Sequence, residues 1–396
     1  MKLKSVIPLL LVVSFAFTGC SKKDDPKLKY EYIYYNDGKE EKVKTKKETI
    51  DASTKNNVSV SILPNEWMEY YDSISDYRSI RYYYKAGTEN TKPVSPSLSW
   101  SITQDANEYS IALSTNRDMS NSTYISTENN KTVELKDLFA GTHYYYQVHA
   151  KYDDKEVVSK RFDFSTTDFI RTLDIDKVLN ARDLGNKKTE NRKKRVKDGL
   201  VFRSANLDSV TATGRKDAIE KYGIKTDLDL REAGQKDNPL GEPVHYINNA
   251  SALYGSPAYY SMDNGVNCVE YQPAMLNNLK VFANMDNLPV IFHCAVGRDR
   301  TGTLAVTLYL LLGIDLDQIR QDYVVSFFSS ACNGASLETY CESMEALIDY
   351  YSYYKSKDGT NTGTVYERAE RYALDIGLTK DDINSIRNNL LEDVKK

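Results

Sequence analysis

The sequence predicts a protein of two folded parts, an all-β sandwich followed by an α/β domain. Between residues 29 and 167, short runs of alternating apolar and polar residues are separated by Asn, Asp, Gly and Ser, which is typical of packed antiparallel strands. After Thr167, short apolar runs alternate with stretches of helical period, which predicts a central sheet flanked by helices. With 396 residues, 41% of them hydrophobic and 27% charged, the chain has the size and balance of a multidomain globular protein.

The N-terminus predicts an exported, lipid-anchored protein. Lys2 and Lys4 precede an apolar stretch over residues 6–17, which is shorter than the roughly 20 residues that span a bilayer. Residues 1–20 therefore have the form of a signal peptide. The small residues before Cys20 resemble a bacterial lipobox, in which this cysteine would carry the lipid that holds the chain on the periplasmic face of a membrane or at the cell surface. A plain secretory signal with an incidental cysteine is the alternative.

After a polar linker over residues 21–28, the β-rich region extends to residue 167, and its second part resembles a fibronectin type III module. Within residues 91–167, Trp100 closes an early strand, and the segment that ends at Tyr144 matches the L..GT.Y corner of that family. The resemblance implies that the Tyr144 hydroxyl bonds back to the backbone. The residues before about 91 are assigned to the same β-rich region without matching the module.

The α/β region, residues 168–396, contains a cysteine motif that reads His293-Cys294-Ala295-Val296-Gly297-Arg298-Asp299-Arg300-Thr301-Gly302. An apolar strand leads into the cysteine, and the final Arg-Thr-Gly opens an apolar helix. Successive backbone N–H groups in such a loop form a concave site for an anion, and the helix N-terminus adds positive potential. The residues predicted to hold a phosphate group are Ala295, Val296, Gly297, Arg298, Asp299 and Arg300.

The same loop predicts a nucleophilic cysteine. Its positive field favours the thiolate form of Cys294, and the Arg300 guanidinium can hold two phosphate oxygens. Thr301 can donate a hydrogen bond to the sulfur, and His293 is expected to orient the loop and lower the thiol pKa. These parts suit phosphoryl transfer through a cysteinyl-phosphate intermediate, without a metal ion or another cofactor. A buried structural cysteine at chance spacing from an arginine, or a sulfurtransferase cysteine, accounts for fewer of these features.

The decapeptide resembles the HCxxGxxR[ST]G signature of cysteine-dependent protein tyrosine phosphatases. It is most similar to the bacterial tyrosine and dual-specificity subfamily, whose loop reads HCxxGKDRTG. Further segments resemble ordered motifs of this subfamily, and they lie at 180–185, 199–205, 229–231 and 377–391. The resemblance implies a phosphatase fold over residues 168–396. Two departures are Arg298, where the subfamily usually has Lys, and Asn186, where it has a second Gly.

The resemblance implies a phosphotyrosine protein as the default substrate, although some members of the subfamily also hydrolyse phosphoinositides. Arg298 and a basic stretch over residues 187–197 favour a phosphoinositide or an inositol polyphosphate as the alternative. A solvated hairpin is the simpler interpretation of that stretch. A hypothesis from another class is a surface binding or adhesion lipoprotein with an inactive phosphatase fold. The formal net charge of −4 gives no indication of nucleic-acid binding.

The general acid that protonates the leaving group has two candidates. The subfamily is thought to use the position of Asp299, inside the loop, and we favour this residue. Asp263 lies in a polar loop at the place where ordinary tyrosine phosphatases carry a mobile acid. Two further cysteines, Cys332 and Cys341, either form a disulfide in an oxidising compartment or are buried thiols.

Overall fold

A computed structural model of the chain describes residues 58–72, 76–232, 238–249, 271–334 and 336–394, together with the backbone of three earlier strands. The chain divides into two compact units. The first contains the described residues up to Ile62 and Val94–Phe169, and the second contains Leu63–Pro93 and the described residues from Ile170 onwards. The sequence had assigned the whole of 29–167 to the β-rich region. The structure differs, because residues 63–93 pack with the second unit.

The first unit is built from two sheets, in which the described strand pairs are antiparallel with one exception. Its strands, among the described residues, are β1 Glu31–Tyr35, β2 Glu40–Val43, β3 Ile50–Ala52, β4 Val58–Val60, β5 Ser97–Ile102, β6 Glu108–Ser114, β7 Thr123–Glu128, β8 Thr132–Glu134, β9 His143–Lys151, β10 Lys155–Val158 and β11 Phe162–Thr166. The larger sheet has the order β2-β1-β10-β9-β11-β4, with β6 and β7 continuing from β9, and β4 pairs with β11 in parallel. The smaller sheet has the order β3-β5-β8.

The core of this unit follows from the alternation that the sequence showed. Every second side chain of β9, beginning with Tyr144, is buried. The ring of Trp100 on β5 meets the ring of Tyr109 on β6, with centroids 5.7 Å apart, so the two sheets share one apolar core. The Tyr144 hydroxyl accepts a hydrogen bond from the backbone N–H of Phe139 at 2.9 Å, which is the upstream bond expected for it. Membership of the fibronectin type III family stays a prediction.

The second unit is centred on a mixed sheet whose strand order is β12-β14-β17-β15-β16. The strands of this sheet are β12 Arg182–Asp183, β14 Val201–Ser204, β15 Thr226–Asp229, β16 His245–Asn248 and β17 Val290–His293. Two further strands, β13 Lys194–Val196 and β18 Leu391–Asp393, pair with each other in a separate sheet. Only β12 runs antiparallel to its neighbour in the mixed sheet, as far as the described residues show, and β17 is buried throughout. The carboxyl ends of the parallel strands therefore meet at one edge, where ligand sites of such sheets form.

The helices are α1 Asn65–Asp72, α2 Ala212–Lys216, α3 Gln272–Ala283, α4 Asp299–Leu312, α5 Leu316–Val324, α6 Leu337–Ser352, α7 Val365–Asp375 and α8 Lys380–Leu390. The predicted buried helix is confirmed, because every residue of α4 from Thr301 to Leu312 is buried. The last helix is capped by Thr379, whose hydroxyl accepts from the backbone N–H of Asp382 at 3.0 Å. In the described part of the chain, no helix is long and apolar enough to cross a membrane.

The basic stretch forms a hairpin-like edge that is paired with the C-terminus. Strand β13 pairs with β18, and Arg195 contacts Glu392 at 2.6 Å and Asp198 at 3.1 Å. The Lys197 ammonium donates to two carbonyls at the end of α8, each at 2.9 Å. Because these cations have partners within the unit, the contacts support the hairpin interpretation of the sequence.

Candidate active site

The cysteine motif lies at the carboxyl edge of the central sheet. Cys294 is the first residue after β17 and is 2% exposed, and α4 begins five residues later at Asp299. The loop between them is therefore held at one end by the central strand and at the other by a buried helix. The first backbone N–H groups of α4 face the same side as the loop, and they add the positive potential of a helix N-terminus.

The loop is held by its carbonyl groups. Asn206 donates to the Ala295 carbonyl from its backbone at 3.1 Å and from its side chain at 2.8 Å. The Asn180 side chain donates to the carbonyls of Val296 and Gly297, at 3.0 and 3.2 Å. Among the described residues, no acceptor takes the backbone N–H groups of residues 295–298. The carbonyls are thus bound to the scaffold, while the amides remain available to an anion.

Gly297 is required by the path of this loop. Its φ of +72° lies in the left-handed region, and a Cβ at this position would meet the backbone of Ser204 at 2.4 Å. The loop therefore approaches β14 closely at this residue, which brings the Gly297 carbonyl within 2.9 Å of the Arg203 guanidinium.

A buried ion cluster lies beneath the loop. Asp322 on α5 accepts from Arg182 at 3.0 Å and from Arg203 at 2.6 Å, and all three side chains are 1% exposed. Burial would raise the pKa of Asp322, but the two guanidinium groups lower it to about 2, so the carboxylate stays charged. Since Arg203 also holds Gly297, and Arg182 also contacts Asn180, the cluster fixes the residues that hold the loop.

Sequence reasoning did not assign site roles to Asn180, Arg203, Asn206 or Asp322. Asn180 and Arg203 lie in two of the ordered motifs that resemble the subfamily, so a signal was present without a role attached to it. Asp322 lies in an ordinary amphipathic helix, and no local pattern marks it.

The Cys294 thiol has a pKa below its ordinary value. Burial acts to raise this pKa, but the neighbouring Thr301 and the positive charge of Arg300 outweigh burial, while Asp299 opposes them. Arg300 is partly buried and donates to the Leu230 carbonyl at 3.4 Å, which ties its guanidinium to the end of β15. The structure thus brings together the three residues that the sequence assigned to nucleophile, phosphate clamp and sulfur hydrogen bond.

His293 is fully buried between two carboxylates of β15. Its Nε2 lies 3.0 Å from Asp227 and its Nδ1 lies 3.8 Å from Asp229. Burial lowers the histidine pKa, but the two carboxylates raise it overall, so the imidazolium form is favoured. Asp229 is held in turn by Arg231, which also forks onto Asp208 at 2.7 and 2.9 Å. The charges of this group tie the end of β17 to β15.

Arg298 and Asp299 are paired with each other. The Arg298 guanidinium donates to both carboxylate oxygens of Asp299, at 3.0 and 3.3 Å, and lies 3.3 Å from the ring centroid of Tyr340. It also lies 5.6 Å from the ring centroid of Phe327, and it is 5% exposed. The Arg298 side chain therefore faces this aromatic pair, so any phosphate contact from this residue would come from its backbone N–H.

The remaining sequence-predicted residues have the following places. Asp263 and Cys20 lie outside the described residues. Cys332 and Cys341 are buried free thiols, so they form no disulfide with each other. In the part of the chain that the structure describes, no group of three or more His, Cys, Asp or Glu side chains is placed to hold a metal ion.

Comparison with known proteins identifies relatives of the second unit. The profile described as the tyrosine phosphatase family matches residues 173–392. A protein of Cupriavidus necator, whose name places it among tyrosine-protein phosphatases, is 28% identical over 175 residues, which are 39% of this chain and 62% of that protein. A tyrosine-protein phosphatase of Nostoc commune is 28% identical over 139 residues, which are 31% of this chain and 47% of that protein. The chain thus spans less than two thirds of either relative.

Two solved structures are similar to part of this chain. The catalytic core of the PP-IP phosphatase Siw14 from S. cerevisiae is 18% identical, with a TM-score of 0.27, and the match covers 39% of this chain and 83% of that one. TpbA from P. aeruginosa is 15% identical, with a TM-score of 0.27, and the match covers 45% of this chain and 97% of that one.

Proposed function

This chain belongs to the tyrosine phosphatase family, and we propose that it is a phosphomonoester hydrolase that works through a cysteinyl-phosphate intermediate. One observation carries the proposal. Cys294, whose pKa is lowered, begins a loop whose carbonyls are bound to the scaffold and whose amides have no acceptor among the described residues. A thiolate beside a row of free amides and an arginine is suited to attack a phosphoryl group.

The reaction follows from these positions in two steps. The Cys294 sulfur attacks phosphorus, the bond from phosphorus to the ester oxygen breaks, and that oxygen leaves with a proton from a general acid. Water then attacks the phosphorus of the thiophosphate and gives a proton back to the carboxylate of the general acid, the bond to sulfur breaks, and inorganic phosphate is released. The loop amides and Arg300 bind the phosphoryl oxygens in both steps. Hydrogen bonding from Thr301 stabilises the sulfur anion that leaves in the second step.

The general acid is proposed to be Asp299, with Asp263 as the alternative. Asp299 lies at the start of α4 beside Arg300, and its side chain is 19% exposed, so a leaving group can reach it. Both of its carboxylate oxygens accept from Arg298. The carboxylate is therefore held in a fixed orientation by Arg298 at the start of α4.

A phosphotyrosine protein is the proposed substrate, and a phosphoinositide or an inositol polyphosphate is the second candidate. Two sequence features favoured the second candidate, namely Arg298 and the basic stretch. Arg298 is buried against Tyr340, and several cations of the stretch are paired with the C-terminal segment, so both features now give less support. The intact set of Cys294, Arg300 and Thr301 speaks against an adhesion protein with an inactive phosphatase fold.

We further propose that the protein is exported and anchored to a membrane through a lipid on Cys20. This rests on the signal-peptide form of residues 1–20 alone. The fibronectin type III assignment of residues 91–167 is likewise a proposal. It is supported by the two sheets and by the bond between Tyr144 and the backbone of Phe139.

The test uses the chain from Asp24 onwards, in reducing buffer with EDTA. Wild type, Cys294→Ser and the control Cys332→Ser are compared for phosphate release from a phosphotyrosine peptide, a phosphoinositide and an inositol polyphosphate. We expect release by wild type and Cys332→Ser and none by Cys294→Ser, and the preferred substrate decides between the two candidates. If the wild-type protein released phosphate from none of the three, the enzymatic proposal would be wrong and the binding-protein hypothesis would replace it.

A further inference from the structure

The segment Leu63–Pro93, here called the 63–93 segment, belongs to the catalytic unit although it lies far from the family match in sequence. The match begins at residue 173, whereas this segment precedes most of the β-rich unit. Trp67, Tyr70 and Ile80 of the segment are all 0% exposed. Side chains this large are buried only where a matching surface exists, so the family match alone does not contain the whole folded unit.

A polar chain of contacts leads from this segment to the loop. One carboxylate oxygen of Glu89 accepts from the Thr91 hydroxyl, and that hydroxyl accepts from the backbone N–H of Asn180 at 3.2 Å. Asn180 is the residue whose side chain binds the carbonyls of Val296 and Gly297. Thr91 is 3% exposed and Asn180 is 1% exposed, so no water replaces this bond readily.

The other oxygen of Glu89 binds the turn that follows α5. It accepts from the Ser329 hydroxyl at 2.9 Å, and from the backbone and hydroxyl of Ser330 at 2.9 and 2.8 Å. One carboxylate thus joins two places beside the loop, the Asn180 backbone through Thr91 and the turn at residues 329–330. Both places lie far from Glu89 in the sequence.

An apolar route runs parallel to the polar one. The Trp67 ring stacks on Phe328 with centroids 4.7 Å apart, and Tyr84 meets Phe327 at 5.4 Å. Phe327 lies beside the Arg298 guanidinium, which holds Asp299. The 63–93 segment therefore packs on the two phenylalanines that support the C-terminal half of the cysteine loop.

We propose that the 63–93 segment is part of the catalytic domain and positions the phosphate-binding loop, with Glu89 and Thr91 as its positioning residues. Loss of the Thr91 hydroxyl would leave the buried N–H of Asn180 without an acceptor, and Asn180 would shift to find one. The Val296 carbonyl would then lose its Asn180 donor, and the Gly297 carbonyl would keep only its bond from Arg203. The loop amides would no longer point steadily at the anion. The segment acts through Asn180 and touches no substrate. This inference rests on the proposed function of the same loop.

The experiment measures the loop without using turnover. In the chain from Asp24 onwards, the rate of Cys294 alkylation by iodoacetamide is followed against pH, after subtraction of the rate for Cys294→Ser. The variants are Thr91→Val, which removes the hydroxyl and keeps the shape, Thr91→Ser, which keeps the hydroxyl, and Glu89→Gln. The control is Thr88→Val, because Thr88 is exposed on the same segment. Thermal unfolding and hydrolysis are measured on the same samples.

We expect the apparent pKa of Cys294 to rise in Thr91→Val and Glu89→Gln, and to stay at the wild-type value in Thr91→Ser and Thr88→Val. In the first two, kcat should fall by about tenfold or more, because misplacement of catalytic groups by about 1 Å costs up to 10²-fold. If Thr91→Val matches Thr88→Val in thiol pKa, the positioning proposal is wrong, whatever the activity. If the thiol pKa shifts as expected but wild type releases no phosphate, positioning stands and the proposed function fails. If Glu89→Gln fails to fold, the comparison of Thr91→Val with Thr91→Ser still tests the positioning proposal.

Discussion

At Cys294, burial and hydrogen bonding act on the thiol in opposite directions. Burial alone would raise its pKa and leave an inert buried cysteine, as it does for Cys332, where the pKa is raised to about 11. The difference between these two buried thiols is that Thr301 and Arg300 stabilise the Cys294 anion. The lowered pKa of Cys294 therefore depends on residues at the start of α4.

A prediction at the residue scale concerns the general acid. Asp299→Asn should lower kcat on a phosphotyrosine peptide by about 10²–10⁴, because tyrosine leaves poorly without a proton. On p-nitrophenyl phosphate, whose leaving group needs little protonation, the same variant should lose much less. Steady-state kinetics on both esters check this, with Asp263→Asn as the comparison. If Asp299→Asn lost kcat equally on both esters, Asp299 would not be the general acid. If Asp263→Asn instead lost more kcat on the phosphotyrosine peptide than on p-nitrophenyl phosphate, the general acid would be Asp263.

A second prediction at this scale concerns Asp198, whose side chain is 10% exposed and lies 3.1 Å from the Arg195 guanidinium. Burial and repulsion from Asp183 raise the pKa of Asp198 to about 7, against 3.8 for an unperturbed aspartate. Between pH 4 and 7 the folded chain therefore binds more protons at this residue than the unfolded chain, and the stability that it contributes falls as pH rises through this window. An asparagine side chain at this position cannot ionise, so Asp198→Asn should gain stability relative to wild type as the pH rises.

Urea unfolding at pH 4, 5.5 and 7.5 measures this effect. The difference in unfolding free energy between Asp198→Asn and wild type should grow towards pH 7.5 and then level off. Asp286→Asn, at an exposed carboxylate, serves as the control. A difference for Asp198→Asn that does not change with pH would show that the carboxyl titrates at its ordinary value.

At the scale of the element, the strand, loop and helix around Cys294 act as one unit. Gly297 and Gly313 show two different reasons why a position requires glycine, namely a left-handed backbone and a close approach to neighbouring backbone. Both have a φ of +72°, but a Cβ at Gly297 would meet the Ser204 backbone at 2.4 Å, whereas at Gly313 nothing lies within 4 Å. Gly313→Ala should cost only the left-handed strain of about 1–2 kcal/mol and leave kcat unchanged. Gly297→Ala carries the same strain and must also displace the loop, so phosphate release should be lost.

The measurement pairs thermal unfolding with kcat for both variants. The informative result is the loss of activity in Gly297→Ala at a stability close to that of Gly313→Ala. If Gly297→Ala retained wild-type activity, the close approach of the loop to β14 would not be a requirement of catalysis.

At the scale of the whole molecule, the chain passes between its two units more than once, and each unit contains one of the two tryptophans. Trp67 belongs to the catalytic unit and Trp100 to the β-rich unit. A ligand that binds only the folded catalytic unit stabilises that unit, by about 2.7 kcal/mol at 100 times its Kd. Inorganic phosphate, the product of the proposed reaction, should therefore raise the urea midpoint that Trp67 fluorescence reports in the Trp100→Phe variant.

The same urea series is followed by residual phosphatase activity, which reports the catalytic loop directly. The two midpoints should move together as phosphate is added. If the activity midpoint rises while the Trp67 midpoint stays fixed, the 63–93 segment unfolds separately from the loop, and its assignment to the catalytic unit is wrong.

The sequence by itself determined the local architecture of the site. The site is encoded in one contiguous stretch, namely a buried strand, a cysteine, a loop with one glycine and an Arg-Thr-Gly helix start. The order and spacing of these parts predict the concave anion site before any fold is known. The buried run of α4 was predicted for the same reason, because its apolar stretch is a local property of the sequence.

Only the tertiary structure decided which distant residues hold that site in place. Arg182 and Asp322 are 140 positions apart, and Thr91 and Asn180 are 89 apart, and neither pair has a local pattern that predicts it. The orientation of the Arg298 side chain also depends on the tertiary structure, because its guanidinium lies over the ring of Tyr340 on α6. The 63–93 segment was assigned to the wrong unit for the same physical reason. Its short helix and aromatic residues fit either core, and only packing of Trp67 against Phe328 determined which one it joined.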